Sequence, residues 1–203
     1  MKNAVFDAFP GVLRRGTATS NRVALTFDDG PDEMTAPYLD LLDELGVPAT
    51  FFLIGARALE QPDIVREYVR RGHQIAGHGF DHARFTKLTR RAMLEQCERT
   101  EGALGGQLSG RPWVRPPHGS LDASSLISLV TSGYTVAMWS LDACDYSTTD
   151  PTQIVEHCAP ISAGDVVLFH EGQQWTLEAL PRIVATIHDA GLECVTMHDL
   201  FAS

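Results

Sequence analysis

Short apolar runs rich in β-branched and aromatic residues alternate along this chain with longer stretches whose apolar positions recur at helical spacing. Such alternation predicts strands joined by crossover helices, that is, a parallel sheet. Seven strands are expected, over residues 22–27, 49–55, 74–77, 113–115, 135–141, 165–170 and 192–197. Six helices are expected between them, over 35–45, 62–71, 89–104, 121–131, 151–158 and 176–190. The punctuation agrees: Pro62 and Pro151 suit the first turn of a helix, while Gly46, Gly72, Gly133 and Gly191 stand where helices should stop.

Strands regularly followed by helices leave two architectures, a (β/α) barrel or an open doubly wound sheet. Both gather functional groups at the carboxyl ends of the strands. No repeat, low-complexity tract or linker breaks the pattern, so residues 1–203 are expected to form one domain. At 44% hydrophobic and 21% charged, the chain can bury a core without cross-links. Cys97, Cys144, Cys158 and Cys194 lie far apart with no CxxC pair, which favours reduced thiols over disulfides or metal ligation.

A formal charge of -10 with no local run of Lys or Arg repels phosphate backbones and argues against nucleic acid as a partner. Lys2 is followed by Asp7 and Pro10 before any apolar run of signal-peptide length, and no stretch of 18 apolar residues could span a bilayer. As it stands, the sequence predicts a cytoplasmic protein without a membrane span.

The expected strand ends carry an unusual density of chemistry: Asp28 and Asp29, His78 and His82, Arg115 and His118, Asp142 and Asp145, and His170. In Thr26-Phe27-Asp28-Asp29-Gly30-Pro31, two carboxylates close an apolar strand before Gly-Pro turns the chain away. Neighbouring side chains of an extended segment point in opposite directions, so one Asp as metal ligand and the other as base is a natural division of labour. His78 and His82 are four apart, a spacing that puts both on one side of a helical turn and suits a divalent metal. Two His and one carboxylate leave open positions for water, on tetrahedral zinc or on an octahedral ion such as cobalt or manganese.

Taken together, Thr26 to Pro31, His78 with His82, Arg115-Pro116-Pro117-His118-Gly119, Asp142-Ala143-Cys144-Asp145-Tyr146 and Leu168-Phe169-His170 resemble the five ordered motifs of the polysaccharide deacetylase family. This is the NodB-homology group, or carbohydrate esterase family 4, and the likeness runs over about residues 22–170. The resemblance implies an α/β fold, a distorted seven-stranded (β/α) barrel, and a bacterial origin. It implies a divalent ion, zinc before cobalt or manganese, held by Asp29, His78 and His82, with Asp28 as general base. In the family pattern Arg115 holds the base carboxylate, His170 is the general acid and Asp145 orients it. Leu168 and Tyr146 would line the acetyl pocket, with Pro117 and His118 at its mouth and a backbone N–H near His118 as oxyanion donor.

Three departures from the family pattern stand out: Gly79 where Ser or Thr is common, Tyr146 in place of tryptophan, and His118 in place of an aromatic that is usually tyrosine. His73, His157, His188 and His198 lack partners in sequence and are assigned surface or core roles. Trp113 and Trp139 are expected to pack the core or a strand end. Trp175, expected in a loop after His170, is the best candidate for a sugar-stacking surface.

The expected activity is hydrolysis of the acetamide of an N-acetylglucosamine-type oligosaccharide or glycan precursor. Two other readings keep the same fold: hydrolysis of an acetyl ester such as acetylated xylan or of a small amide, and non-catalytic carbohydrate binding.

Overall fold

A computed structural model describes residues 11–107 and 110–202; the stretch containing Lys2, Asp7 and Pro10 lies outside the described residues. The strands are β1 (Val12–Leu13), β2 (Arg22–Asp28), β3 (Thr50–Leu53), β4 (Gln74–Gly77), β5 (Trp113–Val114), β6 (Thr135–Ala137), β7 (Leu141–Asp142), β8 (Val166–His170) and β9 (Glu193–Cys194). The helices are α1 (Thr35–Leu45), α2 (Gly55–Glu60), α3 (Pro62–Arg70), α4 (Arg90–Ala103), α5 (Ala123–Thr131), α6 (Pro151–Cys158), α7 (Gln174–Asp189) and α8 (Met197–Phe201). The strands pair in the order β1-β6-β5-β4-β3-β2-β8-β7, with β9 also on β2, and every pairing is parallel. The result is the distorted (β/α) barrel expected from the sequence.

The expected strand 135–141 divides in two. β6 lies one strand in from the β1 end of the pairing order and β7 forms the other end, and the three residues between them carry the chain across. Met138 N donates to Leu13 O (2.7 Å) and Ser140 N to Val166 O (3.0 Å), so the hand-over is completed around Trp139. Strand β1 and helices α2 and α8 are additions to the expected elements. Each is too short for a period to show in sequence. Gly55 opens α2 where a Cβ would come within 2.7 Å of Thr100 on α4, so glycine permits that close packing.

Central strand β2 is buried from Val23 to Asp28, as a parallel strand covered on both sides should be. The two-residue alternation of side chains sorts its faces. Phe27, stacked between Phe51 (5.1 Å) and Phe169 (5.4 Å), points outward into the main core beneath the helices. Ala24, Phe52 and Val166 point into the barrel. Register then sets Asp28 beside His170 and Thr26 beside Leu168 on the inner side. Helix α1 buries Thr35, Tyr38, Leu39 and Leu42, and α7 buries Thr176, Ala179, Leu180, Ile183, Val184 and Ile187, both at helical spacing. Helix α1 stops at Gly46, whose left-handed φ of 66° lets its N–H meet the last carbonyls, as expected of a terminal glycine. Pro62 and Pro151 occupy first-turn positions, also as expected.

Candidate active site

The carboxyl ends of the strands surround a cleft of about 420 Å³. Its wall on the β2–β4 side is formed by Asp28, Asp29, His78 and His82, and its other wall by Asp142, Tyr146, Leu168 and His170. His118, Gly119 and Trp139 complete the lining.

Among the described residues, Asp29, His78 and His82 bring one ligating atom each within 4.8 Å of one another. Asp29 Oδ1 lies 3.1 Å from His82 Nε2 and 3.5 Å from His78 Nε2. No hydrogen bond reaches this buried oxygen, which is the condition of an atom shaped for a cation. His78 Nδ1 meets Arg115 O at 2.8 Å, which fixes the ring and frees Nε2 to face the cluster. Burial lowers the pKa of His78, favouring the neutral imidazole that a metal requires. Burial works against the Asp29 carboxylate, but His82, His78 and His170 outweigh it and hold its pKa well below the usual range. The donor set therefore fits a divalent ion of the zinc, cobalt or manganese type.

Two local expectations are corrected. Asp28 and Asp29 do not point in opposite directions, because Asp29 leaves the strand with a φ of 77°. Both carboxylates come to the same nitrogen, with Asp28 Oδ2 3.6 Å from His78 Nε2. What separates them is the other partner. Asp28 Oδ1 accepts from Arg115 Nη1 at 2.7 Å, whereas Asp29 faces the histidines. Nor do His78 and His82 share a helical turn: residues 78–82 form an open loop with φ of 74° at Gly79 and 61° at His82. Gln96 on α4 holds this loop, its Oε1 accepting from Phe80 N (2.8 Å) and Asp81 N (3.0 Å). Among the described residues, the non-glycine residues with positive φ are Asp29, His82, His118 and Cys144, all at or beside the cleft, where backbone strain is expected to concentrate.

Arg115 is fully buried inside the barrel. Besides Asp28 it donates to Thr26 Oγ1 (2.9 Å) and Met138 O (3.1 Å), and its guanidinium lies 3.9 Å above the Phe52 ring. Its direction is fixed from several sides. Across the cleft, Asp145 is fully buried and accepts from His170 Nδ1 (2.7 Å), His170 N (2.7 Å) and Thr176 Oγ1 (2.8 Å). Burial alone would lower the pKa of His170. The Asp145 hydrogen bond and charge, with Asp28 and Asp29 beyond, reverse that and raise it to about 9.

The residues expected to contact substrate are distributed less simply. Leu168 is buried in the cleft wall, and Tyr146 stands at the rim, 61% exposed, edge-on to His170 at 5.4 Å. The His118 ring lies against that of His82, tilted by 43° with 4.3 Å between centroids. Pro117 is buried, packs near Gly79 and lies off the cleft lining. Trp175 is not in a loop: it falls in the first turn of α7, half-buried, with its indole N–H donating to Asp145 O at 2.7 Å. The tryptophan in the cleft is Trp139, and a methyl on Gly119 would come 2.7 Å from its ring. Its position at the break between β6 and β7, which turns it inward, gave no signal in an uninterrupted apolar run.

Comparison with known proteins agrees with this geometry. The family model described as polysaccharide deacetylase matches residues 15–137. A chitooligosaccharide deacetylase of Sinorhizobium fredii is 33% identical, over 91% of this chain and 94% of its own length. The peptidoglycan-N-acetylglucosamine deacetylase PgdA of Listeria monocytogenes is 30% identical over 90% of this chain, which spans only 39% of that protein. Among solved structures, the Bc1960 peptidoglycan N-acetylglucosamine deacetylase in complex with 4-naphthalen-1-yl-N-oxidanyl-benzamide superposes with a TM-score of 0.89 at 29% identity, covering 95% of this chain and 94% of that one. Motifs that converge on one cleft, a family model that matches more than half of the chain and a relative 33% identical over 91% of it lead to one conclusion: this chain belongs to the polysaccharide deacetylase family.

Proposed function

We propose that the chain is a divalent-metal-dependent deacetylase that hydrolyses the acetamide of an N-acetylglucosamine-type glycan to a free amine and acetate. The observation that carries this reading is the opposition, across one cleft, of an Asp28–Arg115 pair and a His170–Asp145 pair with Asp29, His78 and His82 gathered beside them. A divalent ion bound by Asp29, His78 and His82 would acidify a water molecule and polarise the acetyl carbonyl.

The chain's own groups account for the proton movements. Asp28, oriented by Arg115, takes a proton from the attacking water as its oxygen bonds to the acetyl carbon. In the turn at Pro117–Gly119, Gly119 N and Ser120 N already donate to Pro116 O and Pro117 O, and Pro117 has no N–H. His118 N is the donor this turn can offer to the developing oxyanion, a contribution worth about 3 kcal/mol in comparable acyl-transfer sites. With Nδ1 held by Asp145, His170 presents Nε2 to the cleft and delivers its proton to the amine as the carbon–nitrogen bond breaks. Tyr146 and Leu168 bound the space for the acetyl methyl.

The substrate we favour is a short N-acetylglucosamine oligomer or a soluble precursor of it, in keeping with a chitooligosaccharide deacetylase that aligns over 94% of its own length; intact peptidoglycan, named for the Bc1960 enzyme that is covered equally, is the competing reading. The test compares kcat/KM for acetate release from chitin oligomers, soluble N-acetylated precursors, intact peptidoglycan and acetylated xylan, with zinc, cobalt and manganese supplied separately. Fastest turnover is expected on a short oligomer. Hydrolysis of the acetyl ester alone, or none on any acylated sugar with metal bound, would refute the reading.

A further inference from the structure

Directly after His170, Glu171 is 3% exposed and is not part of the cleft lining. Its carboxylate accepts from Thr35 Oγ1, and the Tyr68 hydroxyl lies 2.7 and 2.9 Å from its two oxygens. Thr35, at the start of α1, in turn accepts from Asp32 N at 2.9 Å. The carboxylate also lies against the Gly30 backbone, so closely that a Cβ there would overlap it. Glu171 N donates to Asp28 O at 2.9 Å. The side chain thus touches the turn that follows Asp28 and Asp29 and residues of two helices, while the backbone N–H of the same residue is tied to the end of β2.

A buried carboxylate is a costly way to fill space, and an apolar side chain of similar volume would hold the helices at least as well. A carboxylate offers something an apolar group does not, a fixed acceptor that hydroxyls can hold in one orientation. That rigid edge bears on the residue immediately after Asp29.

We propose that Glu171 is a positioning residue: locked by Thr35 and Tyr68, it wedges against Gly30 and sets the placement of Asp29 relative to His78, His82 and His170. The proposal rests on the reading of Asp29, His78 and His82 as metal ligands. Groups that orient ligands without touching the metal typically control metal affinity by ten- to a hundredfold.

The test compares the parent chain with Glu171→Ala, Glu171→Gln and Tyr68→Phe, measuring cobalt affinity by chelator competition, the visible spectrum of bound cobalt, kcat, KM and the thermal unfolding midpoint. Glu171→Ala should weaken cobalt binding by about tenfold or more, shift the spectrum, and lower kcat while KM stays within about threefold. Glu171→Gln keeps the shape and an acceptor oxygen and should recover affinity to within about threefold. Wild-type cobalt affinity, spectrum and kcat in Glu171→Ala, with only the unfolding midpoint lowered, would overturn the proposal. If Glu171→Ala fails to fold, Tyr68→Phe, which deletes a single hydroxyl, decides it by the same cobalt readouts. A parent chain that binds cobalt but releases no acetate defeats the proposed function and leaves the cobalt comparison to judge Glu171. A parent that binds no cobalt overturns both.

Discussion

Replacing Asp145 by Asn changes almost nothing in shape and a great deal in proton affinity. The Asp145 carboxylate meets three donors, two of them at Oδ2 from His170 N and Thr176, the third at Oδ1 from His170 Nδ1. An amide oxygen can keep the two donors at the Oδ2 position. Its NH2 then faces Nδ1, where an imidazolium would present a second hydrogen and clash with it. The raised pKa of His170, from 6.5 to about 9, corresponds to roughly 3 kcal/mol of preference for the charged ring. Losing it returns the ring to the ordinary range or below. At pH 8 the charged fraction then falls from about nine tenths to a few hundredths, a loss of about 30-fold in rate, while near pH 6 the loss shrinks to about twofold or less. The assay is kcat/KM for Asp145→Asn and the parent on a chitin oligomer between pH 5 and 10. The upper limb should move down by about two pH units. Folding is linked with the same sign: a raised imidazole pKa contributes stability that is complete below pH 6.5 and is lost as pH rises through about 9. The metal-free parent should therefore lose its stability advantage over the variant across that window in chemical denaturation. An unmoved upper limb together with a constant stability difference would refute the argument.

Alanine at Asp29, His78 or His82 should lower metal affinity by about a hundredfold or more and abolish turnover, checked by metal content and activity on the same sample. Full activity after rigorous chelation would count against all three. Asp28→Asn should retain metal and lose about a hundredfold or more in kcat, because the proton acceptor goes while the ligand set stays. An empty metal site in that variant would transfer Asp28 to the ligands. Gly119→Ala introduces a side chain at a φ of 59° and 2.7 Å from the Trp139 ring, so stability should fall by about 1–3 kcal/mol and KM should rise as the cleft floor shifts. An unchanged KM would show that Trp139 does not meet the substrate.

What could be read from the sequence was what period and punctuation encode. The two-residue alternation that sends Phe27 and Phe169 outward necessarily sends Asp28 and His170 inward, so the facing of these groups is already implicit in two apolar strands. Short helices α2 and α8 have too few residues to display a repeat. The backbone reversals at Asp29, His82 and His118 gave no distinct signal because Asp and His, although enriched at positive φ, adopt it at only a small fraction of their positions, and local sequence does not say which. For the same reason the helical-turn reading of His78 and His82 paired two residues that do come together, but by the wrong geometry. Residues that serve others, such as Gln96, Thr176 and Glu171, are scattered across helices and strand ends, and no local pattern links them to the groups they hold.

The break between β6 and β7 separates two design variables that most sheets couple. In a continuous strand, adding or removing one residue turns every later side chain to the other face, so the width of a groove cannot be altered without disturbing what lies beyond it. Here the chain leaves β1 at Met138 and joins β8 at Ser140, with Trp139 between them lining the cleft. A length change at this seam leaves the pairings of β2 with β3 and β8 as they are, and with them the facing of Asp28 and His170. A change of bulk at this seam therefore alters the cleft lining without re-registering β2 and β8, with Met138, whose carbonyl accepts from Arg115, as the residue that must stay in place.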